Sequence, residues 1–366
     1  MPLYMDVHII PGIKARDVAE AHRKDVQLQE EHHCKCMTYW IDEERENVFC
    51  LIDAPDKECV VAMHQKAHGL IPNKIIEVNP ELVQSFLGRL YDPENAVTTD
   101  DGLKVFHDPS FRIILFISIK DPVLLRHELG IEKANELLSI CTNLIRQQLT
   151  AFDGREVEHP GNGFLASFTG AAQALSCAFT IQQLTQQPEL MVVDLKLAVN
   201  AGEPIATVSQ LFGDTIQFAR QLCFITNDSK IAVASLVKEL TVKDQFQKPA
   251  GNIVTLVPQD EELLASLFNK LEENWQNTDF TVSEFCQAMA MSQSQLYRKT
   301  IELTGKSPNI LLKEFRLEKA KELMNKQRYN ISQITFDTGF TSPSYFTKCF
   351  KSHYGLLPMA YLELLR

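Results

Sequence analysis

Residues 331–358 read ISQITFDTGFTSPSYFTKCFKSHYGLLP, and this stretch decides the fold of the chain's end. Ile331, Ile334 and Thr335 recur at helical spacing, so one face is fit for burial. Gly339 follows where a chain leaving a helix needs positive φ, which glycine takes without steric cost. Thr341, Ser342 and Pro343 then form a start signal, a capping hydroxyl with proline at the first helical position. In the second helix Phe346, Cys349 and Phe350 share one face. Ser344, Lys348 and Lys351 fall opposite, with Tyr345 and Thr347 on the flanks. An apolar back with hydroxyls, one aromatic and lysines in front suits a helix lying against DNA. Taken alone, the same face also suits any solvated helix.

The pattern occurs twice. Residues 281–305, TVSEFCQAMAMSQSQLYRKTIELTG, turn Val282, Phe285 and Met289 inward, and Ser292 caps a new helix. Leu296, Thr300 and Leu303 of that helix face the core; Ser294 and Arg298 point away, with Tyr297 on the flank. Between the two units Pro308 starts an amphipathic helix of roughly 18 residues, about 27 Å long. That rod is near the ~34 Å repeat of the duplex. It would set two recognition helices in successive major grooves. From about residue 263 to 366 the chain resembles the DNA-binding domain of AraC-family transcription regulators, with GFTSPSYFTKCFKSHYGLLPMAY matching the closing signature. The resemblance implies base-reading positions at Ser294, Tyr297 and Arg298 in the first unit and at Pro343, Ser344, Tyr345 and Lys348 in the second. Arg298 suits a guanine, because its fork meets both major-groove acceptors. For Tyr297 and Tyr345, packing between helices is the alternative.

At 366 residues the chain has room for two or three cores. Hydrophobic residues make up 45% and charged residues 23%, the balance of a folded chain rather than a disordered one. No apolar run approaches the ~18 residues of a membrane span. MPLYMDVH has no basic segment followed by an apolar one, so no secretory signal is expected. Nine scattered cysteines then read as reduced thiols in the cytoplasm. The net charge of −11 divides unevenly: from Ala265 onward 13 Lys/Arg face 10 Asp/Glu, or +3, which leaves −14 for the rest. A mildly basic module can bind phosphate beneath an acidic body.

Residues 1–79 alternate as strand, helix, strand, strand, helix, strand. Leu3, Met5 and Val7 alternate with Tyr4, Asp6 and His8, the period of a half-buried strand. This βαββαβ order predicts a ferredoxin-like sheet with both helices on one face. The segment resembles a small bacterial family, some of whose members bind nickel; the phrases are MPLYMDVHIIPG, TYWIDEERENVFCLIDAP and AHGLIPNKIIEV. Six of the ten histidines lie here. His64 and His68, four apart on a helix, are expected to join His8 as ligands of nickel or zinc. Glu30, Glu31, His32, His33, Cys34 and Cys36 form a second crowd of donors. The alternative for both sets is an ordinary polar surface without metal.

Residues 80–110 read as a joint or linker. From Phe111 the run FRIILFISI is a central strand, residues 124–149 one helix, and PGNG a hairpin turn between Val157 and Phe164. Residues 111–257 resemble the nucleotidyl cyclase homology domain of class III cyclases, through FDGREVEHPGNGFLASF, AVNAGEP and FGDTIQFARQL. Active members hold two metal ions on two Asp; the matching positions here are Ser118 and Asn162. The adenine-reading Lys corresponds to Glu158, and the transition-state Asn and Arg to Gln217 and Gln221. Neutral residues at the metal positions remove the main electrostatic term of phosphoryl chemistry. The resemblance therefore implies a scaffold without catalysis, and a self-complementary face for a homodimer.

The expected architecture is multidomain, α/β followed by all-α, with units at 1–79, 111–257 and 263–366. The expected function is a cytoplasmic, AraC-type transcription regulator, not an enzyme, with double-stranded DNA and RNA polymerase as partners, no membrane, and a metal or small molecule as effector. The alternatives are a nucleotide cyclase-like enzyme and a nickel-handling protein.

Overall fold

The computed structural model describes residues 1–94, 96–157, 163–205, 210–226, 230–243 and 253–365. The first sheet and its helices are β1 (Leu3–Ile9), α1 (Ala15–Leu28), β2 (Lys35–Asp42), β3 (Asn47–Asp53), α2 (Lys57–Ala67) and β4 (Lys74–Glu77). The strand order is β2-β3-β1-β4, antiparallel throughout. This is the βαββαβ fold the alternation predicts. β1 is not half-buried, however. Tyr4, Asp6 and His8 lie under the helices, while Met5 and Val7 face the other way and are buried too. A second domain covers the face that a lone sheet would leave to water. Met5, Trp40, Phe49 and Leu51 join one apolar cluster with Phe86, Ile113 and Phe168.

The joint carries α3 (Pro80–Leu87) and a two-stranded hairpin, β5 (Val97–Thr98) and β6 (Lys104–Val105). The central part then runs β7 (Arg112–Ser118), α4 (Pro122–Leu129), α5 (Ile131–Ala151), β8 (Arg155–Val157), β9 (Phe164–Phe168), α6 (Ala171–Thr185), β10 (Lys196–Gly202), α7 (Gly213–Ile225), β11 (Ile231–Val233), α8 (Ser235–Lys243) and β12 (Ile253–Thr255). Its sheet has the order β12-β11-β10-β7-β9-β8. β10, β11 and β12 are parallel; β7 pairs antiparallel with β10 and β9. β7 is thus central, as its apolar run implies. Buried Arg112 is the exception in that run. It donates to Phe86 O at 3.1 Å, Leu87 O at 3.3 Å and Phe111 O at 3.0 Å, and so ties the end of α3 to the sheet. The single helix expected over 124–149 is two, because Gly130 has φ +82 and turns the chain between α4 and α5. The apolar spacing continues across the break, which hides it from a periodicity reading.

The C-terminal part is all helix: α9 (Pro258–Asn274), α10 (Val282–Ala288), α11 (Gln293–Thr304), α12 (Pro308–Asn325), α13 (Ile331–Asp337), α14 (Pro343–Tyr354) and α15 (Pro358–Leu364). No helix among the described residues is long and apolar enough to cross a membrane. The part packs on the central domain through α7 and α4, among other contacts. Phe224 of α7 meets Phe268 of α9 edge-on at 5.3 Å. Val123 and Leu124 of α4 enter the apolar cluster of Met324, Phe346, Phe350 and Tyr361. One carboxylate serves both sides of the second contact: Asp121 Oδ1 caps α4 by accepting from Val123 N at 2.9 Å, and Oδ2 accepts from Tyr361 OH at 2.7 Å. Lys321 Nζ lies 3.5 Å from the same Oδ2 and 3.0 Å from Glu318.

Tyr361→Phe removes a buried hydrogen bond to a charged group and should cost about 2 kcal/mol in denaturant unfolding. Burial opposes the charges of Glu318 and Lys321, but each partner outweighs it, so Glu318 is lowered from 4.5 and Lys321 raised from 10.5. Their contribution is complete between those ordinary values, and is lost as pH falls through Glu318's lowered value or rises through Lys321's raised one. Glu318→Gln should therefore be less stable than the parent at neutral pH, with the gap narrowing as pH falls below 4.5.

Candidate DNA-binding face and metal centre

Each helix-turn-helix begins with a reciprocal cap. Thr281 and Glu284 close the start of α10, and Asn330 and Gln333 that of α13. The turns use two left-handed residues at matching places, Ala290 with φ +52 and Gly339 with φ +76. Ser292 then caps α11, accepting from Gln295 N at 3.3 Å, and Ser342 caps α14, accepting from Tyr345 N at 3.3 Å. Both caps are where the sequence places them. α11 buries Leu296, Thr300 and Leu303, and α14 buries Phe346, Cys349 and Phe350.

The opposite faces are open. Ser294 and Arg298 are exposed on α11; Pro343, Ser344, Tyr345, Lys348 and Lys351 are exposed on α14. Among the described residues, Arg298, Lys348 and Lys351 have no ion-pair partner. Tyr297 is half-buried, and its hydroxyl accepts from Asn309 Nδ2 at 3.3 Å. It sits at the edge of the open face, where one ring can both pack and reach outward.

The N-terminal domain gathers its chemistry between sheet and helices. Asp6 and His8 are two apart on β1, hence on one face, and Asp6 pairs in register with Cys50 of β3. α2 places His64 and His68 one turn apart, and α1 brings Asp25 against them. The predicted histidines lie together, with His8 and His64 ring centroids 5.0 Å apart and His64 and His68 5.1 Å apart. His64 is the hub: its Nε2 is 2.9 Å from Asp6 Oδ2, and its Nδ1 is 3.1 Å from both Asp25 Oδ1 and His68 Nε2. His8 Nε2 lies 3.3 Å from Asp6 Oδ1. Leu70 N donates to His68 Nδ1 at 3.2 Å, which leaves the ring proton to Nε2, facing Asp25.

Burial opposes charge at His64, but Asp6 and Asp25 outweigh it and push its pKa up to about 10. Burial likewise opposes the charge of Asp6, yet His64 and His8 hold its carboxyl well below the usual range. Burial, then Asp6, pushes the Cys50 thiol well above its ordinary value, so a thiolate there needs a cation beside it. Asp6, His8, Cys50 and His64 each offer a donor atom, all within 4.8 Å of one another, as do Asp25, His64 and His68. Imidazole, carboxylate and thiol together fit a borderline divalent ion such as nickel or zinc. Asp6, Asp25 and Cys50 are absent from the sequence expectation, although Asp6 shares His8's strand face. Of the second crowd, Glu30, Glu31 and His33 are exposed, and Cys36 Sγ turns to Met63 Sδ at 3.7 Å. Among the described residues they form no metal-sized group.

In the central domain Ser118 ends β7, and Gln217 of α7 donates to Asn269 of α9 at 3.2 Å. Gln221 is buried, with its Oε1 unpaired among the described residues. Arg220 lies 5.5 Å from the Phe116 ring centroid. Glu158 and Asn162 lie outside the described residues.

Two family models match the chain. One, described as a helix-turn-helix domain, covers residues 285–363. The C-terminal region is an AraC-type helix-turn-helix domain. The second model, described as nickel responsive protein SCO4226-like, covers residues 4–78. A protein of Formosa agariphila named histidine kinase P4 is 37% identical over 108 residues, 30% of this chain and 8% of that one. The HTH-type transcriptional regulator MtrA of Neisseria gonorrhoeae is 31% identical over 99 residues, 27% of this chain and 31% of MtrA. The chain thus spans under a third of either relative. An adenylate/guanylate cyclase/hydrolase structure from Silicibacter pomeroyi is 26% identical, covering 38% of this chain and 83% of its own at a TM-score of 0.33. Around the AraC-type domain, the architecture is therefore a SCO4226-like domain and a mixed-sheet domain ahead of it.

His64→Ala leaves Asp6 and Asp25 buried without their shared counter-charge. In chelator-treated protein it should cost about 3–5 kcal/mol by denaturant unfolding. Asp25→Asn, which leaves Asp6 in place as the counter-charge of His64, should cost less.

Proposed function

We propose that this chain is a transcription regulator that binds one operator with both helix-turn-helix units and senses a transition metal through its N-terminal domain. The open faces of α11 and α14 carry the reading: apolar on the core side, with unpaired Arg298 and Lys348 on the other. In this reading Ser294, Tyr297 and Arg298 read one half-site and Pro343, Ser344, Tyr345 and Lys348 the next. The working units are 1–79, 111–257 and 263–366, joined by 80–110. RNA polymerase is the downstream partner, and the cytoplasm the compartment.

His8, His64 and His68 would hold nickel or zinc, with Asp6, Cys50 and Asp25 as further donors beside them. A bound ion would supply positive charge where His64 now holds its proton, and its affinity depends on the ligands giving up protons. Replacing both His64 and His68 with Ala should abolish stoichiometric nickel binding in calorimetry; unchanged affinity would remove these residues from the ligand set.

The central domain acts as a scaffold without catalysis, since Ser118 offers no anionic oxygen to a hard divalent ion. A cyclase is the competing reading, and cyclic product from ATP or GTP with Mn²⁺ would establish it. The DNA reading is tested by selecting duplexes from a random pool with the full chain, with and without nickel. Arg298→Ala should then cost ~1–3 kcal/mol and relax preference at one base pair. A uniform loss over all sequences would make Arg298 a phosphate contact instead.

A further inference from the structure

α12 joins the two helix-turn-helix units, and one of its side chains reaches a point where both meet. Arg316 Nε donates to Trp275 O at 2.9 Å, and its Nη2 donates to Asn277 O at 2.6 Å and to Phe280 O at 3.4 Å. Trp275 is the C-cap of α9 and Phe280 lies just ahead of α10, so the guanidinium holds the lead-in to the first unit. Gly339, in the turn of the second unit, sits against the same spot. A Cβ there would come within 2.4 Å of Trp275 O and 2.9 Å of Arg316 Nε. The second turn therefore rests directly on the carbonyl that Arg316 grips.

A rod of fixed length sets how far apart two recognition helices lie. It does not by itself fix how each unit is rotated about the rod, because each packs on α12 through its own apolar face. Rotation matters, since one inserted base pair moves the next half-site by ~3.4 Å along the duplex and ~34° around it. The planar fork of arginine can fix such a rotation, because it presents donors in set directions where a lysine offers one flexible point charge. Lys319 supports the same joint, with Nζ 2.9 Å from Glu272 of α9.

We propose that Arg316 is a positioning residue that locks the two recognition helices in one relative orientation and so sets the half-site spacing this chain accepts. The proposal rests on the DNA-binding reading above. It assigns Arg316 no contact with DNA.

The test uses the full chain. Duplexes enriched by the parent from a random pool define two half-sites and their spacing, and binding is then measured with one base pair inserted or deleted between them. The parent should lose ~10-fold or more on either change. Arg316→Gln should bind each spacing within ~3-fold of the others, because its units can rotate to follow the duplex. Arg316→Lys, which keeps the charge and can reach one carbonyl, should fall between. Circular dichroism and the melting temperature check folding, and Arg316→Lys carries the test if the Gln variant unfolds. An unchanged spacing penalty, with affinity lowered equally at every spacing, overturns the proposal and leaves Arg316 a stabilising residue only. A parent that enriches a single half-site overturns it too, together with the use of both units, while DNA binding itself stands. A parent that enriches nothing overturns both.

Discussion

One unbroken apolar body extends from Met5 in β1 to Phe315 in α12, passing through Phe49, Ile114, Leu165, Leu222 and Leu267. Everything else depends on its continuity. The first sheet has two greasy faces, one under its own helices and one on the central domain. The central sheet hides its strands beneath α3, α6 and α7, and α7 in turn supports α9. Burial at about 25 cal/mol per Å² of apolar surface makes each of these contacts favourable. Separating the first sheet would expose Met5, Trp40, Phe49 and Leu51 together.

Two deeply buried cationic side chains among the described residues show how charge is accommodated in the interior. Arg112 is sunk into the core and meets backbone carbonyls at the end of α3. His64 is sunk as deeply and meets two carboxylates. In both cases a charge is tolerated because its partners arrive from a different element, so the pairing also specifies how those elements pack. The C-terminal part follows the same rule with Arg316, whose partners lie on the other side of a helix crossing.

How much of this is legible in the sequence depends on whether the signal is local. Caps at Ser292 and Ser342, the rod from Pro308 and the central position of β7 follow from short-range spacing and residue type, and they are found as read. His64 and His68 are visible because four residues make one helical turn. Cys50 is not, because its place beside Asp6 is set by strand register, and Asp25 depends on how α1 crosses α2. The break at Gly130 is masked by apolar residues that keep helical time across it. The burial of both faces of β1 is invisible for a further reason: alternation reports two faces, but not what covers the second. Exposure of Arg298 and Lys348 can be read, yet the contact joining the two units at Gly339 cannot, since it links positions far apart in the chain.

Asp121 holds two things at once, the first turn of α4 and the hydroxyl of Tyr361. If α15 swings away, water reaches that carboxylate, and the capped amide of Val123 loses its shelter. Hydrogen exchange at this single backbone position would then report, from within the central domain, whether the distant DNA-binding helices are seated or free.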